Sequence, residues 1–257
     1  TNITASVDTP VSGGTGVRYV CDGWTGSGSV PATGLTNSVN FTIDQDSSIT
    51  WSWQTEYELT VSVSSGAAGS VTKSPDATWY QSLSSVQITA SPNSGYMFVD
   101  WSGDISGSTN PYDVIMDGPK SITANFAVVC TLTVNSAVGS PSPSVGTHDY
   151  ASGTNLTAEV GTPVPWETGK QYRCTGWDGT GSVPASGSTN SVNFTITADS
   201  SITWNWVVQY ELTASVSPVG SGTVSASPSG PWYDAGTVVT LTCLLYTSDA
   251  ADELDGV

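Results

Sequence analysis

The sequence predicts an all-β protein of tandem small antiparallel modules with no significant helix, and three observations carry that prediction. The first is composition: charged residues are only 11% of the 257, while Ser, Thr, Gly, Val and Trp are abundant. Such side chains suit a pleated surface better than a helix. The second is an alternation of apolar and polar positions, with Leu59, Val61 and Val63 on one face and Ile49, Trp51 and Trp53 on another, the period of half-buried strands. The third is self-similarity. Shifted by 153 residues, 39 of the 59 positions from 2 to 60 are identical without a gap, including Cys21 with Cys174, Trp24 with Trp177 and Trp53 with Trp206. Repetition on this scale marks a tandem array.

Each period holds two modules. SSITWSW at 47–53 is echoed by KSITANF at 120–126, and Cys21-x-x-Trp24 by Phe98-x-x-Trp101. The module is therefore roughly 75 residues. In order, the reading places a truncated module at 1–56, complete modules at 57–128 and 129–208, and a truncated one at 209–242, with almost no linker between them. Turns such as Pro92-Asn93-Ser94-Gly95 and Asp117-Gly118-Pro119 separate the strands, because Gly and Asn accept positive φ and Pro removes a ladder donor.

The residues of the second module, ELTVSV, then ITASPNSGYMFVDWSGDISGSTNP, then MDGPKSITANF, resemble the divergent InlB B-repeat, or bacterial repeat domain. Modules one and three look like a Cys-containing variant, with CDGWTGSGSVPATG and CTGWDGTGSVPASG in place of FVDWSGD. The resemblance spans 1–242. It implies small all-β modules strung along large bacterial surface or secreted proteins, and it carries over no catalytic residue.

After Thr242 the pattern expects a continuing strand, but the chain reads CLLYTSDAADELDGV. Residues 243–257 are expected to be an artefact, because Cys243 to Glu253 resembles a translated transposase adapter from a sequencing library; a natural acidic tail is the alternative. That reading makes the open reading frame metagenomic in origin.

Charge and motif content exclude several functions. Five cationic residues stand against 22 acidic ones, a net charge of −17, which repels nucleic acid and anionic lipid heads. No apolar run of eighteen residues and no charged-then-apolar leader is visible, so the sequence contains neither a membrane span nor a signal peptide. The single histidine, His148, lies in the turn-like VGTHDY and lacks the partners of a nucleophilic triad. Asp100 and Asp104 bracket Trp101 as a glycosidase pair would, yet the counterparts of Asp104 are Ser27 and Thr180. Asp44 and Asp46 could contribute to a calcium site, but their counterparts are Thr197 and Asp199. No cofactor and no metal site is expected.

The ten tryptophans divide into two groups. Trp24, Trp101 and Trp177 share one repeated slot, and Trp51 and Trp53 align with Ala124 and Phe126. All five are expected in the core, each contributing about 2 to 3 kcal/mol when buried. Trp79-Tyr80 and Trp232-Tyr233 are adjacent pairs, so one ring of each faces away from the other; these four are the candidate ligand-facing aromatics. Cys130 and Cys174 replace Tyr57 and Phe98. They should point inward, either as a disulfide or as buried thiols.

These readings lead to a non-catalytic extracellular repeat array, a spacer, stalk or adhesion segment of a larger bacterial surface or secreted chain. The alternative is a set of carbohydrate-binding modules appended to a secreted hydrolase. The expected partners are polysaccharide or host or cell-surface ligands, and neighbouring domains of the same chain.

Overall fold

The computed structural model describes residues 1–246 and contains only strands and turns. Among the described residues, no helix is long and apolar enough to cross a membrane. The chain divides into two compact units, Thr1–Val129 and a second beginning at Cys130. The strand Lys120–Ser136 contributes residues to both.

In the first unit the long strand Val17–Ser27 runs antiparallel to Ser48–Val63, from Val17↔Tyr57 to Ser27↔Ser48. The short strand Val11–Gly14 pairs with Val17–Ser27, and Asn2–Ser6 pairs with Ser38–Thr42. Downstream, Gly69–Ser74, Ser85–Pro92 and Tyr112–Ile115 form a three-stranded sheet, and Tyr96–Gly103 runs antiparallel to the first part of Lys120–Ser136. The period-two pattern produces the core directly. Val86 and Ile88 from one strand, Trp101 from the next, and Ile122 and Ala124 from the last are essentially inaccessible and pack together.

The second unit repeats the first motif. Lys170–Thr180 runs antiparallel to Ser200–Glu211, Val164–Glu167 forms a hairpin with Lys170–Thr180, and Thr154–Glu159 pairs with Ser191–Ile196. Its core joins Leu132, Val134, Phe194, Ile196, Ile202 and Trp204. Gly222–Ser227 and Thr240–Leu245 form a separate hairpin. Every residue of Thr240–Leu245 is exposed, whereas Val86 and Ile88 of the corresponding strand Ser85–Pro92 are fully buried. Cys243, Leu244 and Leu245, from the segment expected to be an artefact, lie in this strand; its residues 247–257 lie outside the described residues.

One pairing was not legible in the repeat pattern. In both complete modules the first strand lies parallel to the last: Leu59↔Lys120 through Val63↔Ala124, and Leu132↔Ser200 through Ser136↔Trp204. A parallel neighbour needs a long connection, and here the body of the module supplies it. The two registers are the same in repeat terms, since Leu59 aligns with Leu132 and Lys120 with Ser200.

Candidate functional site

The repeated Cys-x-Gly-Trp motif is structural. The ladder slips by one residue between Cys21 and Gly23, again between Cys174 and Gly176, and at the equivalent Phe98 and Asp100. A bulge of this kind bends the strand and re-aims the following side chain. Here that side chain is Trp24, Trp177 or Trp101, each buried. Gly176 has φ +133°, and a Cβ on it would stand 1.8 Å from the carbonyl oxygen of Gly187. Gly187 in turn leaves room for the Trp177 ring, which a Cβ would meet at 2.1 Å.

Trp51 is half-buried against the Trp24 core, but Trp53 is 41% exposed, which corrects the expectation that it is a core residue. Its counterpart Trp206 donates its indole N–H to Ser136 Oγ (3.0 Å) and packs beside Gly139 and Val160. The stretch equivalent to 136–139 would precede residue 1, so nothing covers Trp53 from that side. Trp53, Tyr19 and Val11 line an open apolar depression of about 400 Å³.

The adjacent aromatics sit where one module meets the next inside each unit. Trp79–Gln81 pairs with Glu56–Glu58 at the end of module one's last strand, and Trp232–Asp234 pairs with Gln209–Glu211 in the same way. Tyr80 and Tyr233 point inward and are buried. The Tyr80 hydroxyl lies 2.8 Å from the carbonyl oxygen of Pro75 and accepts from the Ala77 N–H at 2.9 Å, and the Tyr233 hydroxyl lies 3.0 Å from that of Pro228. Each therefore braces the turn just before its own strand. Trp79 and Trp232 remain half-exposed. The Trp79 ring carries the Arg18 guanidinium at 4.6 Å, a cation–π stack, and Arg18 also pairs with Glu56 at 2.6 Å.

The second unit solves the same junction with different chemistry. Gln171 and Gln209 stand where Arg18 and Glu56 stand in the first, and Gln171 Nε2 donates to Gln209 Oε1 at 2.9 Å. Gln209 Nε2 donates onward to Asp234, which also takes the Arg173 guanidinium. The hydrogen bond from Arg173 holds the Asp234 carboxyl below the usual carboxylate range, helped by the bond from Gln209, and the same contact raises Arg173. An ion pair at one junction is thus replaced by an amide pair at the other, with every partner changed together.

Sequence reasoning missed the most exposed aromatic pair. Trp166 is 57% exposed and stacks on Tyr172, with ring centroids 5.3 Å apart and planes 30° from parallel. Lys170 Nζ lies 5.4 Å from the Trp166 centroid and 2.7 Å from Glu167 Oε2. That hydrogen bond and the charge of Glu167 raise the Lys170 pKa above its ordinary value. Lys170 and Tyr172 alternate on one strand and meet the indole from the same side, which leaves its opposite face to solvent. The signal was obscured because the repeat puts Gly13 opposite Trp166, so internal comparison drew attention away from it.

The other candidates have local partners. Asp104 accepts the Ser121 N–H at 2.6 Å and Asp100 accepts from Asn125 at 2.7 Å, so both fasten strand ends. Asp44 accepts the Ser29 hydroxyl at 2.6 Å, and Asp199 accepts the N–H of Thr131 at 2.9 Å, at the entry to the parallel first strand. His148 contacts the Ser144 carbonyl oxygen at 2.6 Å and is half-buried. Among the described residues no group of three His, Cys, Asp or Glu could hold a metal ion. Cys130 and Cys174 lie in one core with free thiols, the second of the two arrangements expected for them.

No curated protein matches the chain. The module that holds Leu59, Trp101 and Ile122 in one core does have a family: residues 59–130 match the divergent InlB B-repeat domain.

Proposed function

We infer that the chain is a non-catalytic segment of a larger bacterial surface protein, acting as a spacer or stalk that presents another domain. The InlB-like repeat family is typically surface-associated in bacteria and generally non-catalytic. The observation that carries the reading is the duplication itself: 153 residues recur with their bulges, core tryptophans and parallel closures intact, while the exposed side chains change freely. What is repeated is what folds a module. A chain selected to bind would repeat its exposed contacts, and Trp166 opposite Gly13 does the reverse.

The test is display of an epitope on a bacterial surface beyond one, two or three copies of the 153-residue period. A spacer makes the epitope more accessible to a bulky antibody with each copy and leaves adhesion to host cells unchanged. Accessibility independent of copy number, or adhesion that grows with it, contradicts a spacer role.

The Trp166–Tyr172 stack favours carbohydrate binding as a second reading. A flat indole face beside a Lys–Glu pair offers both a platform for a sugar ring and charge-assisted hydrogen bonds for its hydroxyls. A net charge of −17 restricts such a ligand to neutral glycans. Binding to a polysaccharide panel that is saturable, lost in Trp166→Ala and retained in Trp79→Ala would support this reading; no response would leave the spacer alone.

A further inference from the structure

The sequence YELT occurs twice, at 57–60 and 210–213, and the two copies differ in structure. In the first, the strand Ser48–Val63 continues through Leu59–Val63, where it lies parallel to Lys120–Ala124. In the second, the strand Ser200–Glu211 stops, and 212–216 belongs to no strand. Local sequence cannot be the cause, since the residues are the same. The difference is the partner: no last strand for this module lies among the described residues.

The opposite deficiency exists in module one. Its last strand, 47–51, pairs on one edge with Val17–Ser27 but has no parallel first strand among the described residues. The consequence appears in burial. Ile122 and Ala124, and likewise Ile202 and Trp204, are at most 2% exposed where the first strand is in place. Their counterparts Ile49 and Trp51 are only half-buried, and Trp53 beside them is exposed. On the donor side, Leu132 and Val134 are buried, whereas Leu212 and Ala214, their counterparts, are exposed.

We propose that these two deficiencies complement each other between molecules: the segment 212–216 of one copy adds as a parallel strand to the open edge 47–51 of a second copy. The register is fixed by both complete modules, in which the Leu of the first strand faces the opening residue of the last. Leu212 therefore faces Ser47, Thr213 faces Ser48 and Ala214 faces Ile49. The acceptor edge is built to receive this sequence, because its apolar row Ile49, Trp51 and Trp53 is the row that Leu132 and Val134 cover in module three. Main-chain hydrogen bonds supply affinity and the alternate side chains supply selectivity, as in other strand additions. Because donor and acceptor are different surfaces, the contact is heterologous and propagates head to tail. This inference does not depend on the spacer reading.

The test is sedimentation of the full chain over a concentration series, beside the variant Thr213→Pro/Ala214→Pro. The two prolines sit in an exposed segment outside any strand, so the fold is kept, which far-UV circular dichroism checks. Wild type should rise in weight-average mass about twofold or more, past the dimer, and the variant should remain monomeric. A second measurement fixes the register: with Cys243→Ser, the pair Ser48→Cys/Thr213→Cys should cross-link between copies on mild oxidation, and Ser48→Cys/Ser217→Cys should not. A wild type that stays monomeric, an association that survives the two prolines, or equal cross-linking in both registers would overturn the proposal.

Discussion

At the scale of single residues, the glycines of the bulge are the most demanding positions. Gly176 and Gly153 both have positive φ, yet a Cβ at Gly176 strikes a carbonyl oxygen while one at Gly153 meets nothing within 4 Å. Gly176→Ala should therefore destabilise the second unit by more than about 2 kcal/mol, and Gly153→Ala by only about 1 kcal/mol. Denaturant titrations of the two variants check the contrast; equal losses would remove the role given to the Gly187 carbonyl. Tyr80→Phe should cost about 1 kcal/mol, the loss of the hydroxyl that braces Pro75 and Ala77. Asp234 has a lowered pKa, so its pairing with Arg173 stabilises the fold above the carboxyl's unfolded pKa and is lost as pH falls through the lower folded value. The melting temperature should thus drop more steeply on acidification in wild type than in Asp234→Asn. Trp53 teaches a related lesson about reading residues. Alternation correctly put it on the apolar side of a strand, but burial also needs a covering segment, which Trp206 finds in Ser136 and Gly139 and Trp53 does not.

At the scale of elements, most strands were legible because side-chain alternation and turn residues are local signals. The repeated Trp slot was legible too, since Trp24, Trp101 and Trp177 follow the same bulge. The parallel closure of each module was not, because it joins residues 60 or more apart in the chain and leaves no local mark. The candidate aromatics were only half legible for the same reason. Adjacency shows that Trp79 and Tyr80 face opposite ways, but not that Tyr80 turns inward to a prolyl turn or that Arg18 from the preceding module covers Trp79. The junction between modules is itself an element-scale device. Exchanging one residue of the Gln171–Gln209 pair for its first-unit counterpart, as in Gln171→Arg, leaves a cation facing an amide. That variant should be less stable than the double change Gln171→Arg/Gln209→Glu, which restores the ion pair of Arg18 and Glu56. A double-mutant cycle by thermal melting measures this coupling, and additive effects would show that the two positions do not act together.

At the scale of the whole molecule, stability should be distributed by module, because each core cluster draws on its own stretch of chain. Residues 57–208 are expected to resist protease longest, and cleavage within that span as early as outside it would contradict the module boundaries. The central claim is that a module is closed by its own first and last strands lying parallel, so that the same sequence is ordered with that partner and unordered without it. Native-state hydrogen exchange at low protein concentration tests this most directly. The amides of Leu59–Val63 and Leu132–Ser136 should be strongly protected, and those of 212–216, with nearly the same sequence as the first of these, should exchange close to the rate of an unstructured chain. Equal protection of all three segments would contradict the account.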